Sequence, residues 1–155
     1  MPHPAFPKTW ILVADAAQAN AWAASGRDGP LTAVPEFGLK AEDTHGFSRD
    51  LKSDRPGRSF SSSDSRRSAM QPPHDPHDEA KARFTALVAK RLAVACREHR
   101  FSRLIVVAPP RMLGILRKDY NEELGRCIAG EIDKDLTKAT PAEILDHVRS
   151  FLHAT

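Results

Sequence analysis

Hydrophobic residues in the N-terminal part of the chain fall into short runs that are separated by turn-forming residues. Residues 10–14 are continuously apolar, which is typical of a strand buried on both faces of a sheet. Residues 19–25 and 31–39 form two further runs. Pro35 cannot donate a ladder hydrogen bond, so it places part of the third run at a sheet edge or at a bulge. The pattern predicts an antiparallel meander of three strands.

The second half of the chain alternates between helical and strand-like patterns. Apolar positions at helical spacing predict a helix over residues 78–99. The side chains that share one face of it are Phe84, Leu87, Val88, Arg91, Leu92, Ala95 and Cys96. Residues 104–108 are strongly β-branched and predict a central strand. Residues 112–130 predict one or two helices, with Gly114 and Gly125 as candidate breaks, and residues 132–137 predict a short strand.

A helix start signal stands near the C-terminal end. Thr140, Pro141 and Glu143 match a capping box with proline in the first turn. The final helix that follows has an inner face of Leu145, Val148 and Leu152. A meander followed by a strand–helix–strand–helix part predicts one α/β domain over residues 1–155 with a mixed sheet.

The segment between the two halves has almost nothing to bury. Residues 53–77 contain seven serines and four prolines. A loop of this length is uncommon in a compact domain and is usually functional or disordered. Residues 49–71 carry six basic and three acidic side chains, an excess equal to the formal net charge of +3 of the whole chain. We therefore expect a long loop at about residues 53–74, outside the core.

Composition and cysteine usage narrow the class of protein. With 155 residues, 41% hydrophobic and 28% charged, the chain resembles an ordinary globular domain. No apolar run reaches about 18 residues, and the run at residues 10–14 is short for a secretory signal, so we expect a cytoplasmic protein without a membrane partner. Cys96 and Cys127 are not in a CxxC motif and are interpreted as buried free thiols.

Arginines make the loop the first candidate site. Arg55, Arg58, Arg66 and Arg67 offer planar donor forks that suit phosphate or carboxylate groups. Pro56-Gly57 between the first two indicates a specified turn. The alternative interpretation is a solvated linker whose arginines contact carboxylates of the domain itself.

Two weaker candidates involve metal chemistry. His74 and His77 lie close to carboxylates, but Pro76 breaks the helical register between them, and we interpret Asp75 as a helix cap instead. Asp15, at the end of the first strand, could act in a metal-dependent nuclease, for which the candidate partners are Asp119, Glu122 and Asp135. The alternative for Asp15 is a turn residue that binds nearby backbone N–H groups. We expect neither a metal nor a cofactor.

Several motifs together resemble the bacterial host-attachment protein family. The most specific is the string Ser53-Asp54-Arg55-Pro56-Gly57-Arg58-Ser59-Phe60, which we interpret as loop structure. The other matching segments are residues 10–15, 75–76, 97–101, 104–110 with 113–114, and 134–137. The resemblance covers nearly the whole chain. The family is similar in turn to the middle domain of archaeal and eukaryotic peptide-chain release factors, which implies a ribonuclease-H-like fold.

One departure from the release factors bears on function. They carry a Gly-Gly-Gln tip on a long loop before a helix, and this chain has Ser61-Ser-Ser-Asp-Ser-Arg-Arg-Ser68 instead. Serine and aspartate adopt the backbone conformations of those glycines poorly. The resemblance therefore implies a non-catalytic protein that binds the ribosome or structured RNA through residues 49–71. The alternative is an enzyme, either a degenerate peptidyl-tRNA hydrolase or a nuclease that uses Asp15.

Overall fold

The computed structural model describes residues 6–41 and 76–154. The elements of these two stretches are, in chain order, β1 (Thr9–Ala14), β2 (Gln18–Ala24), β3 (Leu31–Lys40), α1 (Pro76–Arg97), β4 (Arg103–Val107), α2 (Pro110–Asp119), α3 (Glu122–Cys127), β5 (Ile128–Ile132) and α4 (Pro141–His153). The predicted loop at residues 53–74 and the predicted cap Asp75 lie outside the described residues.

The strands form one mixed sheet in the order β3-β2-β1-β4-β5. β1 pairs with β2, and β2 with β3, in antiparallel fashion, whereas β4 is parallel to both β1 and β5. The α/β class, the mixed sheet and the N-terminal meander are therefore confirmed. Strands β1, β3, β4 and β5 all run in one direction, so they end at the same edge of the sheet. We call this edge the carboxyl edge.

Alternating side chains of the two central strands face two separate cores. Trp10, Leu12, Leu104 and Val106 pack on the side of α1, α2 and α3. Ile11, Val13, Ile105 and Val107 pack on the side of α4. All six residues of β1 are buried. Burial of each large aliphatic side chain contributes about 1.5–3 kcal/mol, so the sandwiched strands β1 and β4 anchor the three-layer arrangement.

Both helix faces that flank the sheet agree with the sequence pattern. On α1, Phe84, Val88, Leu92, Ala95 and Cys96 are buried, Leu87 is half-buried and Arg91 is exposed at the margin. On α4, Leu145, Val148 and Leu152 are buried together with Ile144. The capping box is present: the Glu143 N–H donates to Thr140 Oγ1 at 3.2 Å, and the Thr140 N–H donates to Glu143 Oε1 at 2.8 Å.

Pro35 lies in an irregular part of the edge strand. Ala21 of β2 pairs with Val34, but Ala19 pairs with Leu39, so β3 carries extra residues opposite this point. β3 is the outermost strand of the sheet. The prediction of an edge or bulge position for Pro35 is confirmed.

The prediction of a strand over residues 132–137 is wrong, because the strand is Ile128–Ile132. Helix α2 stops at Tyr120, and Asn121 caps α3 by accepting the Leu124 N–H at 2.7 Å, so neither Gly114 nor Gly125 is the break. Backbone pairing with the buried β4 then takes residues 128–132 into the sheet. Residues 133–137 form a turn in which Asp135 Oδ1 accepts the Thr137 N–H at 3.0 Å.

Within residues 6–41 and 76–154, no helix has the length and hydrophobicity to cross a bilayer.

Gly130 of β5 leaves room for the ring of Phe151 on α4, and a Cβ at this position would overlap that ring. We expect Gly130→Ala to lower the free energy of unfolding by about 1–3 kcal/mol, since inserting atoms into a packed site forces its neighbours to move. Urea unfolding measures this. Gly114→Ala is the matched control, because a Cβ there meets nothing within 4 Å and alanine favours a helix over glycine. Equal stability of the two variants would contradict the close packing of the Phe151 ring on Gly130.

Candidate functional site

The carboxyl edge contains a point where the chain leaves adjacent parallel strands in opposite directions. From β1 the chain continues to β2 on one side, and from β4 it leads through two helices to β5 on the other side. Open α/β sheets bind ligands in the crevice outside the carboxyl ends of strands at such a switch point. The space between the ends of β1 and β4 is therefore the candidate position for a ligand-binding site.

A cavity of about 440 Å³ lies at this point. Its lining consists of Ala16 after β1, Pro109 after β4, and Lys81, Thr85, Arg111, Met112 and Ile115 from α1 and α2. The charged residues of this lining are Lys81 and Arg111, which are both positive. The Thr85 hydroxyl donates within its own helix to the Lys81 carbonyl at 2.7 Å. The cavity thus combines an apolar floor with two exposed cationic side chains.

Local sequence explains why these cations face one cavity. Lys81 and Thr85 are four residues apart on α1, so they lie on the same face of that helix. Pro109 and Pro110 end β4, and Pro110 is favourable at the start of a helix. Arg111 therefore follows immediately in the first turn of α2, beside the end of the strand. No acidic residue lies in that first turn.

Asp15 lies at the same edge and is part of a turn. Its Oδ1 accepts the N–H groups of Ala17 at 2.7 Å and of Gln18 at 2.9 Å. Thr137 Oγ1 lies 3.0 Å from Asp15 Oδ2 and 2.6 Å from Asp135 Oδ1. The two N–H donors on Oδ1 agree with the turn interpretation of Asp15.

The candidate nuclease partners of Asp15 do not gather around it. Asp135 approaches through Thr137, whereas Asp119 ends α2 and Glu122 pairs with Arg126 at 2.7 Å. Over residues 6–41 and 76–154, no group of three or more His, Cys, Asp or Glu side chains is placed to hold a metal ion.

Hydrogen bonds hold the pKa of the Asp135 carboxyl below its ordinary value. The Thr137 side chain is the largest cause and the Thr137 backbone N–H is the next, since both stabilise the charged carboxylate. Thr137 is thus a link between the turn after β1 and the turn after β5.

A second, more open cavity of about 500 Å³ lies between α2, α3 and β5. Arg117 and Glu131 line it and form an ion pair at 2.6 Å. The Tyr120 hydroxyl is buried there and has no hydrogen-bond partner among the residues that the structure describes. Burial raises the pKa of this phenol. The glutamate compensates the charge of the arginine in this cavity.

The loop residues that the sequence favours lie outside the described residues. They are Arg55, Arg58, Arg66, Arg67, Ser53, Asp54, Pro56, Gly57, Ser59 and Phe60, and His74 is also outside. The ends of the segment are described. The Ala41 N–H donates to the Ala17 carbonyl at 2.8 Å, next to Ala16 of the cavity lining. Helix α1, which carries Lys81, begins at Pro76.

Sequence reasoning missed Lys81 and Arg111. Arg111 has a signal, because it directly follows the two prolines that end the most β-branched strand. Lys81 has a weaker one, in its i,i+4 spacing from Thr85. The proximity of Cys96 to Cys127 was also missed, and nothing in their spacing predicts it.

Comparison with known proteins gives one family. The family model described as "Protein required for attachment to host cells" matches residues 10–148. No curated protein matches the chain. The matched range begins in β1 and ends in α4, so it includes the strand ends and helices that line the cavity.

We expect Thr137→Val to raise the pKa of Asp135 toward its ordinary value of 3.8, because the main hydrogen bond to the carboxylate is removed. Carboxyl NMR titration measures this pKa. Thr32→Val, an exposed change on β3, is the control and leaves the pKa unchanged. An unchanged Asp135 pKa in Thr137→Val would contradict the hydrogen bond from the Thr137 hydroxyl to Asp135.

The same shift makes stability depend on pH. A carboxyl whose pKa is lower in the folded state stabilises the fold above its unfolded pKa. This contribution is lost as the pH falls below 3.8 through the folded-state pKa. Thr137→Val should therefore be destabilised at neutral pH and lose less further stability on acidification than the parent.

Proposed function

The chain belongs to the family of proteins required for attachment to host cells, and we propose that it is a non-catalytic RNA-binding protein. Its ligand is the ribosome or another structured RNA, which binds at the carboxyl edge of the sheet. The observation that carries this proposal is the cavity at the switch point, with Lys81 and Arg111 in its lining. Attachment to the host would then depend on this protein indirectly.

The chemistry of the cavity suits a nucleotide unit of an RNA chain. Lysine and arginine attract phosphate, and the arginine fork can bind two phosphate oxygens at once. Proteins recognise RNA mostly at loops and ends where bases are unstacked. The apolar floor of Pro109, Met112 and Ile115 gives such a base a surface to pack on. A volume of about 440 Å³ lies in the range of small-ligand sites.

The basic loop adds to this surface in the proposal. In the sequence the loop residues stand between β3 and α1, the helix that carries Lys81. Arg55 and Arg58 on either side of Pro56-Gly57, with Arg66 and Arg67, would contact phosphates that flank the bound nucleotide. The chain's modest net charge of +3 would then be concentrated on one edge of the molecule.

We also propose a ribonuclease-H-like fold similar to the release-factor middle domain. An antiparallel β1–β3 meander that continues into parallel β4 and β5 supports this assignment. The missing Gly-Gly-Gln tip favours binding over peptidyl-tRNA hydrolysis. The cysteines, which are free thiols in the structure, support the proposed cytoplasmic location.

A nuclease that uses Asp15 is less well supported than a binding protein. Cation binding needs carboxylate oxygens that are available to the ion, and Oδ1 of Asp15 already accepts hydrogen bonds from the N–H groups of Ala17 and Gln18. Oδ2 of Asp15 lies 3.0 Å from the Thr137 hydroxyl. Opening that site would disrupt the turns after β1 and β5. The cationic cavity requires no such change.

The proposal is tested by binding to purified ribosomes and to a fluorescent single-stranded RNA over a range of salt concentrations. We expect Lys81→Ala and Arg111→Ala each to weaken binding and to lower the slope of log affinity against log salt by about 0.7 for each phosphate that the variant no longer neutralises. The variant with alanine at Arg55, Arg58, Arg66 and Arg67 should lower the slope further.

Matched controls on the same helices separate a site from general charge. Lys90→Ala on α1 and Lys118→Ala on α2 also remove an exposed cation, but neither residue lines the cavity. They should leave affinity nearly unchanged. If all four single variants weaken binding equally, the cavity is not the site. Absence of RNA and ribosome binding by the parent at low salt would refute the proposal, and a protein partner would then be sought.

A further inference from the structure

The fold brings the two cysteines of the chain together. Cys96 lies in the last turn of α1 and Cys127 is the last residue of α3, and their Sγ atoms are 3.3 Å apart. Cys96 is buried, with 4% of its surface exposed, whereas Cys127 is half-buried. The Cys96 thiol also lies 3.8 Å from the carbonyl oxygen of Glu123. Two thiols in contact, one buried and one more accessible, form a site that the proposed RNA binding does not use.

We propose that Cys96 and Cys127 are a redox-reactive pair, which a hydroperoxide oxidises to a disulfide that links the end of α1 to the end of α3. A disulfide requires a sulfur–sulfur distance of about 2.05 Å, so the two sulfur atoms must approach by only a little more than an ångström. The proposal is independent of the proposed function.

The exposure of the two thiols sets the order of the reaction. Cys127 is more accessible, so its thiolate attacks a peroxide oxygen. An S–O bond forms as the O–O bond breaks, and the departing alkoxide or hydroxide takes up a proton and leaves as an alcohol or water, with Cys127 now a sulfenic acid. Cys96 then attacks the sulfenic sulfur, the S–O bond breaks, and the departing hydroxide takes up the Cys96 proton and leaves as water. The two thiols lose two electrons in total, and the peroxide gains them.

Cys96 suits the role of the second, resolving thiol. Burial, followed by the contact with Cys127, raises the pKa of Cys96 to about 12. A thiol that stays protonated reacts slowly with peroxide in solution, because the thiolate is the nucleophile. Its contact with Cys127 places it directly beside the sulfenic acid when that group forms.

The covalent link would join parts of the chain that are far apart in sequence. The cysteines are 31 positions apart, and β4 and α2 lie between them. A disulfide restrains the unfolded chain over such a loop and so stabilises the fold. It also fixes α1, which carries Lys81, to the helix that follows α2.

The test treats the purified, reduced protein with hydrogen peroxide, blocks remaining thiols with N-ethylmaleimide under denaturing conditions, and measures the mass. We expect the parent to lose two hydrogen atoms, to take up no label, and to give a cross-linked peptide containing Cys96 and Cys127. Dithiothreitol should restore two labelled thiols. The melting temperature of the oxidised form should rise by several degrees and return on reduction.

Single variants check the assigned order. Cys96→Ala keeps a small apolar side chain at the buried position, and its Cys127 should give a sulfenic acid that dimedone traps. Cys127→Ser should resist the same dose of peroxide. Two labelled thiols in the treated parent, disulfide-linked dimers on a non-reducing gel, or dimedone trapping at Cys96 in Cys127→Ser would each overturn the proposal. The mass measurement on the parent decides the matter even if a variant fails to fold.

Discussion

The parallel pairing of β1 with β4 joins the two halves of this chain. Register pairs such as Trp10 with Leu104 and Leu12 with Val106 connect the N-terminal meander to the helical C-terminal part. Both strands are buried on both faces, so their hydrogen bonds are shielded from water and their side chains contribute to two cores. Because the pairing is parallel, both strands end at the same edge, and the connections from them diverge.

The carboxyl edge follows from that pairing, and its polar groups are arranged in two parts. On one part, the carboxylates of Asp15 and Asp135 are linked by Thr137 and satisfied by backbone N–H groups. On the other, Lys81 and Arg111 line an apolar cavity. On this edge the carboxylates therefore lie in the turns, and cationic side chains line the cavity. This division supports the proposed binding of an anionic ligand over carboxylate-based catalysis.

The parallel pairing of the strands also determines the course of helices α2 and α3. Residues between β4 and β5 must cross from the carboxyl edge to the opposite one, and α2 and α3 do so on the face covered by α1. That crossing brings the last residue of α3 against the last turn of α1, which puts Cys127 beside Cys96. The match to the host-attachment family spans residues 10–148 and therefore includes this arrangement. The chemical role of these residues is inferred from their geometry.

Local patterns in the sequence were sufficient for the meander, the buried face of α1, the capping box at Thr140 and the mixed α/β class, since each depends on neighbours in the chain or on simple periodicity. They were insufficient for β5. The apolar content of residues 128–132 is compatible with a helix, and only pairing with β4 makes them a strand. The cavity and the cysteine pair depended on tertiary structure for the same reason: Lys81 and Arg111, like Cys96 and Cys127, are about 30 positions apart, and sheet topology alone determines which distant segments meet.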